Sequence, residues 1–276
     1  TEMYNNPITQ RNLEGLRSLG YHIMDPAEGW LACGITGVGR LPEPEAIVEW
    51  LESKMFSTNE LEGTTILVTA GGTQENIDPV RYIGNRSSGK MGYAIADQAA
   101  RMGAQVILVS APTSLPVPSG VDFVSVDSAL SMQEAVEARY NDVNVVIMAA
   151  AVSDFRALHK AEQKIKKMES MTIELVKNPD ILQGLGSKKS HQVLVGFAAE
   201  TEHVIKYGQD KVARKNLDML VANDVSKSNA GFNVDTNEGY FLYPNKEPKK
   251  MPNMKKSDLA RHILKEVIEL VANKQS

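Results

Sequence analysis

From residue 64 onward, apolar positions gather into short unbroken runs separated by stretches with helical spacing. Thr65-Ile66-Leu67-Val68-Thr69 reads as a buried strand broken by Gly71-Gly72, and a helix is expected over about 89–102, closed by Gly103. A second apolar run at 105–109 completes a βαβ unit, because parallel neighbours need a long crossover. Strands are expected again at 121–126, 143–149, 193–197 and 219–221, and helices at 129–140, from 180 and over 202–216. Val, Ile and Leu in runs without polar alternation belong to strands covered on both faces. The expected class is therefore α/β, a Rossmann-like three-layer fold with a mostly parallel sheet. Beyond it, 239–243 alternates as an edge strand does, and Ser257 is placed to cap a helix carrying Leu259, Ile263, Val267, Leu270 and Val271.

The first 60 residues follow another pattern. Leu13, Leu16 and Leu19 mark a short amphipathic helix ended by Gly20, and 31–41 is punctuated by Gly34, Gly37 and Gly39. Pro42-Glu43-Pro44-Glu45 then opens a helix with Ile47, Val48 and Leu51 on one face. Two short helices and a loop do not supply a core. Residues 1–60 are read as a partial segment and 61–276 as the main domain, with polar residues 57–63 as the linker. The chain starts at Thr1 with an abrupt first element, as a piece of a longer protein would.

With 42% hydrophobic and 23% charged residues among 276, the chain can build a core, so disorder is excluded. A net charge of −4 gives no general attraction to nucleic acid or anionic membrane. The most apolar stretch, 145–152, is far short of the roughly 20 residues of a spanning helix. The expectation is a cytoplasmic protein with neither nucleic-acid nor membrane partner. The single cysteine, Cys33, excludes an intrachain disulfide.

In an open α/β sheet, ligands sit beyond the carboxyl ends of the strands, and four such ends carry candidate chemistry. After the first, Gly71-Gly72 either admits backbone N–H groups to an anion or ends the strand for steric reasons. Next, Ser87 and Ser88 are natural caps for the following helix, and Arg81, Arg86 and Lys90 nearby make an anion seat. Asn85 could orient a substrate carbonyl. The spacing Gly84-x4-Gly89-Lys90 is not a P-loop, since Met91 replaces the required Ser or Thr. At the third end, Met148-Ala149-Ala150-Ala151-Val152-Ser153-Asp154, small residues let a ligand lie on the backbone. Asp154 there suits a ribose hydroxyl, a metal or a helix cap. Lys164-Ile165-Lys166-Lys167 follows in a loop, either solvated or meeting a phosphate. At the fourth end Phe197 could lie against a base, and Lys211 and Lys215, four apart, share a helix face. Backbone amides, carboxylates and cations together suit a polyphosphate with Mg²⁺. An NAD(P)-binding oxidoreductase is the alternative, disfavoured because Val109-Ser110-Ala111-Pro112 offers no acid for a ribose and G-x-G-x-x-G is missing. A non-catalytic binding or scaffold module is disfavoured by the density of polar strand-end motifs.

As a set, these motifs resemble a known family. Thr69-Ala70-Gly71-Gly72-Thr73, Ile77-Asp78-Pro79-Val80-Arg81, Asn85-Arg86-Ser87-Ser88-Gly89-Lys90-Met91-Gly92, Ala150-Ala151-Val152-Ser153-Asp154 and Lys164-Ile165-Lys166-Lys167 come first. Lys177-Asn178-Pro179-Asp180-Ile181, Gly196-Phe197-Ala198-Ala199-Glu200-Thr201 and Ala222-Asn223-Asp224-Val225 follow in order. Together they resemble the phosphopantothenoylcysteine synthetase module of the bacterial bifunctional coenzyme A biosynthesis protein. Asn6-Pro7-Ile8-Thr9-Gln10 and Leu31-Ala32-Cys33-Gly34-Ile35-Thr36-Gly37-Val38-Gly39-Arg40 resemble the end of its flavin-dependent decarboxylase domain.

The resemblance implies a CTP-dependent ligase acting in two steps. The carboxylate of 4′-phosphopantothenate attacks the α-phosphate of CTP to give an acyl-cytidylate, and the amine of cysteine then displaces CMP. It implies Lys164 in the first step and Asn85, Ala150 and Ala151 in the second. Nucleotide contacts are implied at Met148, Ala149, Ala150, Asp154, Lys164, Pro179, Asp180, Ile181, Leu182, Phe197, Lys211 and Lys215. Substrate contacts are expected at Gly71, Gly72, Arg81 and Asn85, with Asp154 on Mg²⁺. Cys33 would be the proton donor of an incomplete decarboxylase whose FMN-binding part lies elsewhere in the same polypeptide, so no decarboxylation is expected of this chain alone. A homodimer whose substrate loop reaches the neighbouring subunit is implied as well.

Overall fold

The computed structural model describes residues 1–31, 34, 36–55, 58–167, 169–200, 202–224 and 236–275, in two compact units, Thr1–Thr58 and Asn59–Ser276. Among the described residues no helix is long and apolar enough to cross a membrane.

The smaller unit holds α1 (Glu2–Asn5), α2 (Pro7–Ser18), the hairpin β1 (Ala27–Trp30) and β2 (Thr36–Arg40), and α3 (Pro44–Met55). α2 starts where the Asn6 side chain accepts from the N–H of Ile8 and Pro7 takes the first helical position. The sequence reading missed the hairpin, because Gly29, Gly37 and Gly39 look like loop residues. A Cβ on Gly37 would run into the Thr1 hydroxyl, so a larger residue there would force that side chain to turn. None of the residues of this unit whose burial is described is buried.

The larger unit runs β3 (Thr65–Ala70), β4 (Gln74–Asn76), β5 (Tyr82–Gly84), α4 (Lys90–Arg101), β6 (Gln105–Ser110), β7 (Val121–Ser125), α5 (Ala129–Glu137), β8 (Val145–Met148), β9 (Phe155–Ala157) and β10 (Leu175–Lys177). It continues with α6 (Ile181–Ser187), β11 (Val193–Glu200), α7 (Val204–Arg214), β12 (Met219–Asp224), β13 (Thr236–Tyr243), β14 (Lys246–Lys255) and α8 (Lys256–Gln275). The main sheet has the order β14-β13-β12-β11-β8-β3-β6-β7, parallel from β12 to β7. Alternate residues of β3 divide the core: Ile66, Val68 and Ala70 pack with α4 and α8, while Leu67 packs with α5 and α6. This is the three-layer α/β arrangement that uniformly apolar strands require.

Three expectations are corrected. The alternating segment at 239–243 lies in β13, which pairs with β12 and β14 and is not the edge. The edge is β14, whose exposed Lys246, Lys249, Lys250 and Lys255 hide it from an apolar pattern and discourage pairing with another chain. Ser257 does not cap α8; that helix starts one residue earlier, directly from β14. Ser87 and Ser88 do not cap α4 either: the capping position is Gly89, in the left-handed region at φ 75°, and the Ser87 hydroxyl accepts from the Gly89 N–H. The buried Leu259, Ile263 and Val267 bind α8 to the sheet, at about 1.5–3 kcal/mol each.

Candidate active site

The strand order turns at β3, whose neighbours β6 and β8 lead the chain to opposite edges. A crevice opens at such a point. Its rim is fixed by bonds between strand ends. Ala151 N–H donates to Gly71 O at 2.8 Å, Ala150 N–H to the buried Thr69 hydroxyl at 3.1 Å, and Ser153 N–H to the Thr73 hydroxyl at 2.9 Å. The N–H groups of Ala150 and Ala151 are thus already committed, leaving these residues to meet a ligand through methyl and carbonyl groups. Gly71 and Gly72 line neither chamber described below. A Cβ on Gly71, at φ +78°, would stand 2.6 Å from Ala111 O, and one on Gly72 2.8 Å from Asn85 O, so close backbone approach accounts for both.

Two chambers flank the crevice. The first, about 340 Å³, runs from the start of α4 past the ends of β8 and β11 to Asn223, Asn237 and Lys256. Asn85 stands on its wall, its amide donating to Val152 O at 3.1 Å. The second, about 360 Å³, lies on the α6 and α7 side and is lined by Met148, Ser153, 177–182, Arg214 and Lys215. Ala150, Val152, Asp154, Phe197 and Lys211 belong to both. Asp180 caps α6 by accepting from Gln183 N–H and pairs with Lys215 at 2.9 Å. Burial pushes its pKa up, but the bonds from Lys215 and Gln183 and the charges of Lys215 and Arg214 outweigh that and hold it below the ordinary value.

Asn85, Met148, Ala149, Ala150, Ala151, Asp154, Pro179, Asp180, Ile181, Leu182, Phe197, Lys211 and Lys215 are thus brought to one crevice. Arg81 and Lys164 line neither chamber. They belong to a neighbouring subassembly made by the hairpins β4–β5 and β9–β10, both read as loop in the sequence because their strands are three residues long. Asp78, fully buried, organises it. Its carboxylate accepts from the N–H groups of Val80 (2.8 Å), Arg81 (2.9 Å) and Ile165 (3.1 Å) and from the Arg81 guanidinium (2.6 Å), which in turn donates to Ile165 O at 2.8 Å. Residue 165 is clasped from both sides, which fixes the backbone beside the exposed Lys164. Cys33 and Thr201 lie outside the described residues.

Burial alone would raise the Asp78 pKa, but the bonds from Val80, Arg81 and Ile165 hold it far below the ordinary carboxylate value. A depressed folded pKa contributes stability that is complete above the unfolded value of about 3.9 and fades as pH falls below it. Asp78→Asn is therefore expected to melt below wild type at neutral pH, with the gap narrowing as pH drops below about 4. Parallel melting curves at every pH would show that the carboxylate is not the clasp.

Sequence reasoning missed Ser153, Arg214, Asn237 and Lys256 as lining residues and gave Asn223 no role. Asn237 falls before the alternation that begins at 239, and Lys256 carried no local signal. Among the described residues no group of three or more His, Cys, Asp or Glu side chains could hold a metal. Asp154, exposed on the shared wall, fits the one protein carboxylate that Mg²⁺ needs when phosphates supply its other oxygens.

Comparison with known proteins follows this division. The family model for the DNA/pantothenate metabolism flavoprotein C-terminal domain matches residues 61–271, and the flavoprotein model matches 1–56. The coenzyme A biosynthesis bifunctional protein CoaBC of Bacillus subtilis is 46% identical over 272 residues, 97% of this chain and 67% of the relative. Its Escherichia coli K12 counterpart gives the same identity and coverage. The crystal structure of the CoaBC C-terminal domain superposes with a TM-score of 0.68 at 43% identity, over 78% of this chain and all of that one. A Cab2 variant in complex with phosphopantothenate-cysteine shares the fold, with a TM-score of 0.60 at 16% identity, over 85% of this chain and 97% of that one. The chain belongs to the family of bifunctional coenzyme A biosynthesis proteins.

Proposed function

We propose that the larger unit is a phosphopantothenate–cysteine ligase of coenzyme A biosynthesis that uses CTP. The observation carrying this reading is the pair of chambers sharing one wall, which suits a reaction joining two large anionic substrates. CTP would occupy the second chamber, its phosphates near Lys211, Arg214 and Lys215 and its base near Phe197. The acid would occupy the first, its phosphate at the start of α4, where backbone N–H groups and the helix dipole favour anions. The two meet at Ala150 and Asp154. There the acid's carboxylate attacks the α-phosphate, pyrophosphate leaves, and the amine of cysteine displaces CMP from the acyl-cytidylate. Mg²⁺ at Asp154 would neutralise charge gathering on the phosphates.

The two hairpins present exposed Val80, Tyr82, Phe155 and Leu175 beside Lys164, a surface suited to a second copy of the chain. We assign Lys164 to the first step in a homodimer whose loop serves the neighbour. Residues 1–60 are assigned as the end of a decarboxylase domain whose FMN site lies in the rest of the polypeptide, with Cys33 as its proton donor.

A pyrophosphate-release assay with phosphopantothenate, Mg²⁺ and either CTP or ATP tests the reading. Release that needs phosphopantothenate and prefers CTP is expected, and no release with either nucleotide would overturn it. Asn85→Asp removes the amide that donates to Val152 O and sets a negative charge against that carbonyl, beside the acyl carbon. The second step is expected to slow by about 10²-fold or more, with the acyl-cytidylate accumulating in mass spectra. Normal product without intermediate would remove Asn85 from that role.

A further inference from the structure

The far end of the first chamber holds an acceptor with no partner among the described residues. Asn237 is only 3% exposed, it lines the chamber, and its side-chain carbonyl oxygen is buried without a hydrogen bond from any described residue. Asn223 lines the same end, and its side-chain carbonyl is likewise buried and unmatched. The two come from neighbouring antiparallel strands: Asn223 pairs with Gly239 on β13, two residues past Asn237. A buried carbonyl left unpaired costs on the order of 1–3 kcal/mol, so two at one end of one cavity call for a ligand that donates there.

Given the ligase reading, on which this rests, the acid has two donors flanking its amide carbonyl, a secondary hydroxyl and an amide N–H. Nucleotide phosphates offer none. We propose that Asn237 is a specificity-determining residue that accepts a hydrogen bond from one of these two donors, selecting the acid by its interior as well as by its charged ends. A site built around an acceptor rejects an analogue lacking the donor, because the acceptor is left buried and bare.

The test compares three acids in the pyrophosphate-release assay with the 276-residue chain: 4′-phosphopantothenate, its analogue lacking the secondary hydroxyl, and the ester analogue with oxygen in place of the amide N–H. Wild type is expected to lose about tenfold or more in kcat/KM with one analogue, chiefly through KM. Asn237→Ala is expected to treat that analogue and the parent alike, and Asn237→Asp, which still accepts, to keep the preference. An Asn237→Ala that discriminates as wild type does, or a wild type indifferent to both analogues, overturns the assignment and leaves the carbonyl to a bound water. If the alanine variant fails to fold, Asn237→Leu, which fills the space without an acceptor, takes its place. No release from any of the three acids would overturn the ligase reading and this assignment together, whereas release with unchanged preference removes only the assignment.

Discussion

Asp218→Ala is expected to destabilise the larger unit by about 3 kcal/mol, a fall in Tm on the order of 10 °C. Asp218 sits just before β12, only 14% exposed, between two lysines. Lys189 lies 3.3 Å from its carboxylate and Lys274, near the end of α8, 2.9 Å. The same carboxylate accepts from the Leu194 N–H at 2.7 Å, at the start of β11. One side chain thus joins a central strand, the connection after α6 and the last turns of the last helix. Removing it leaves two largely desolvated ammonium groups facing each other and an amide without its acceptor, and breaking a buried pair from one side costs far more than the pair contributes net. Chemical denaturation with an unchanged m-value is the measurement. A loss below about 1 kcal/mol would show that water screens the lysines as it does at an open surface.

Lys164→Gln is expected to lower pyrophosphate release by about 10³-fold while CTP still binds. On the proposed assignment the charge is lost where the transferring phosphate becomes most negative, but the backbone clasp of Asp78 and Arg81 on Ile165 remains, so the fold and the loop are kept. Unchanged release would remove Lys164 from the chemistry. Because Lys164 lines neither chamber of its own chain, mixing this variant with Asn85→Asp is expected to restore part of the activity, each subunit supplying what the other lacks. Mixtures as inactive as the separate variants would place loop and chamber in the same subunit.

The parallel core was legible because burial on both faces leaves no choice of residue: β3, β6, β8 and β11 are runs of Val, Ile and Leu that no exposed segment would carry. The crevice was legible in part, since strand ends are where polar residues interrupt such runs, and this placed Asn85, Asp154, Phe197 and Lys215 together. What escaped were features set by partners distant in sequence. β14 is polar because it is an edge, and the three-residue strands β4, β5, β9 and β10 exist only because each has a hairpin mate. Gly71 and Gly72 were ambiguous between an anion seat and tight packing, and the packing reason, close approach to Ala111 O and Asn85 O, involves partners distant in sequence. Asn237 is visible as an unmatched acceptor only once β13 is laid beside β12.

Asn237 of β13 and Lys256, the first residue of α8, line one end of the first chamber, while other lining residues come from the start of α4, far earlier in the chain. During synthesis the early strands can pair and bury their faces, yet the first chamber, the proposed seat of the acid, stays incomplete until these late residues arrive. Closing it joins distant segments, a step that is intrinsically slow. A proteolytic nick between β13 and β14 should then silence the enzyme while leaving most of the parallel sheet standing, so that a preparation can look folded by circular dichroism and still hold no substrate.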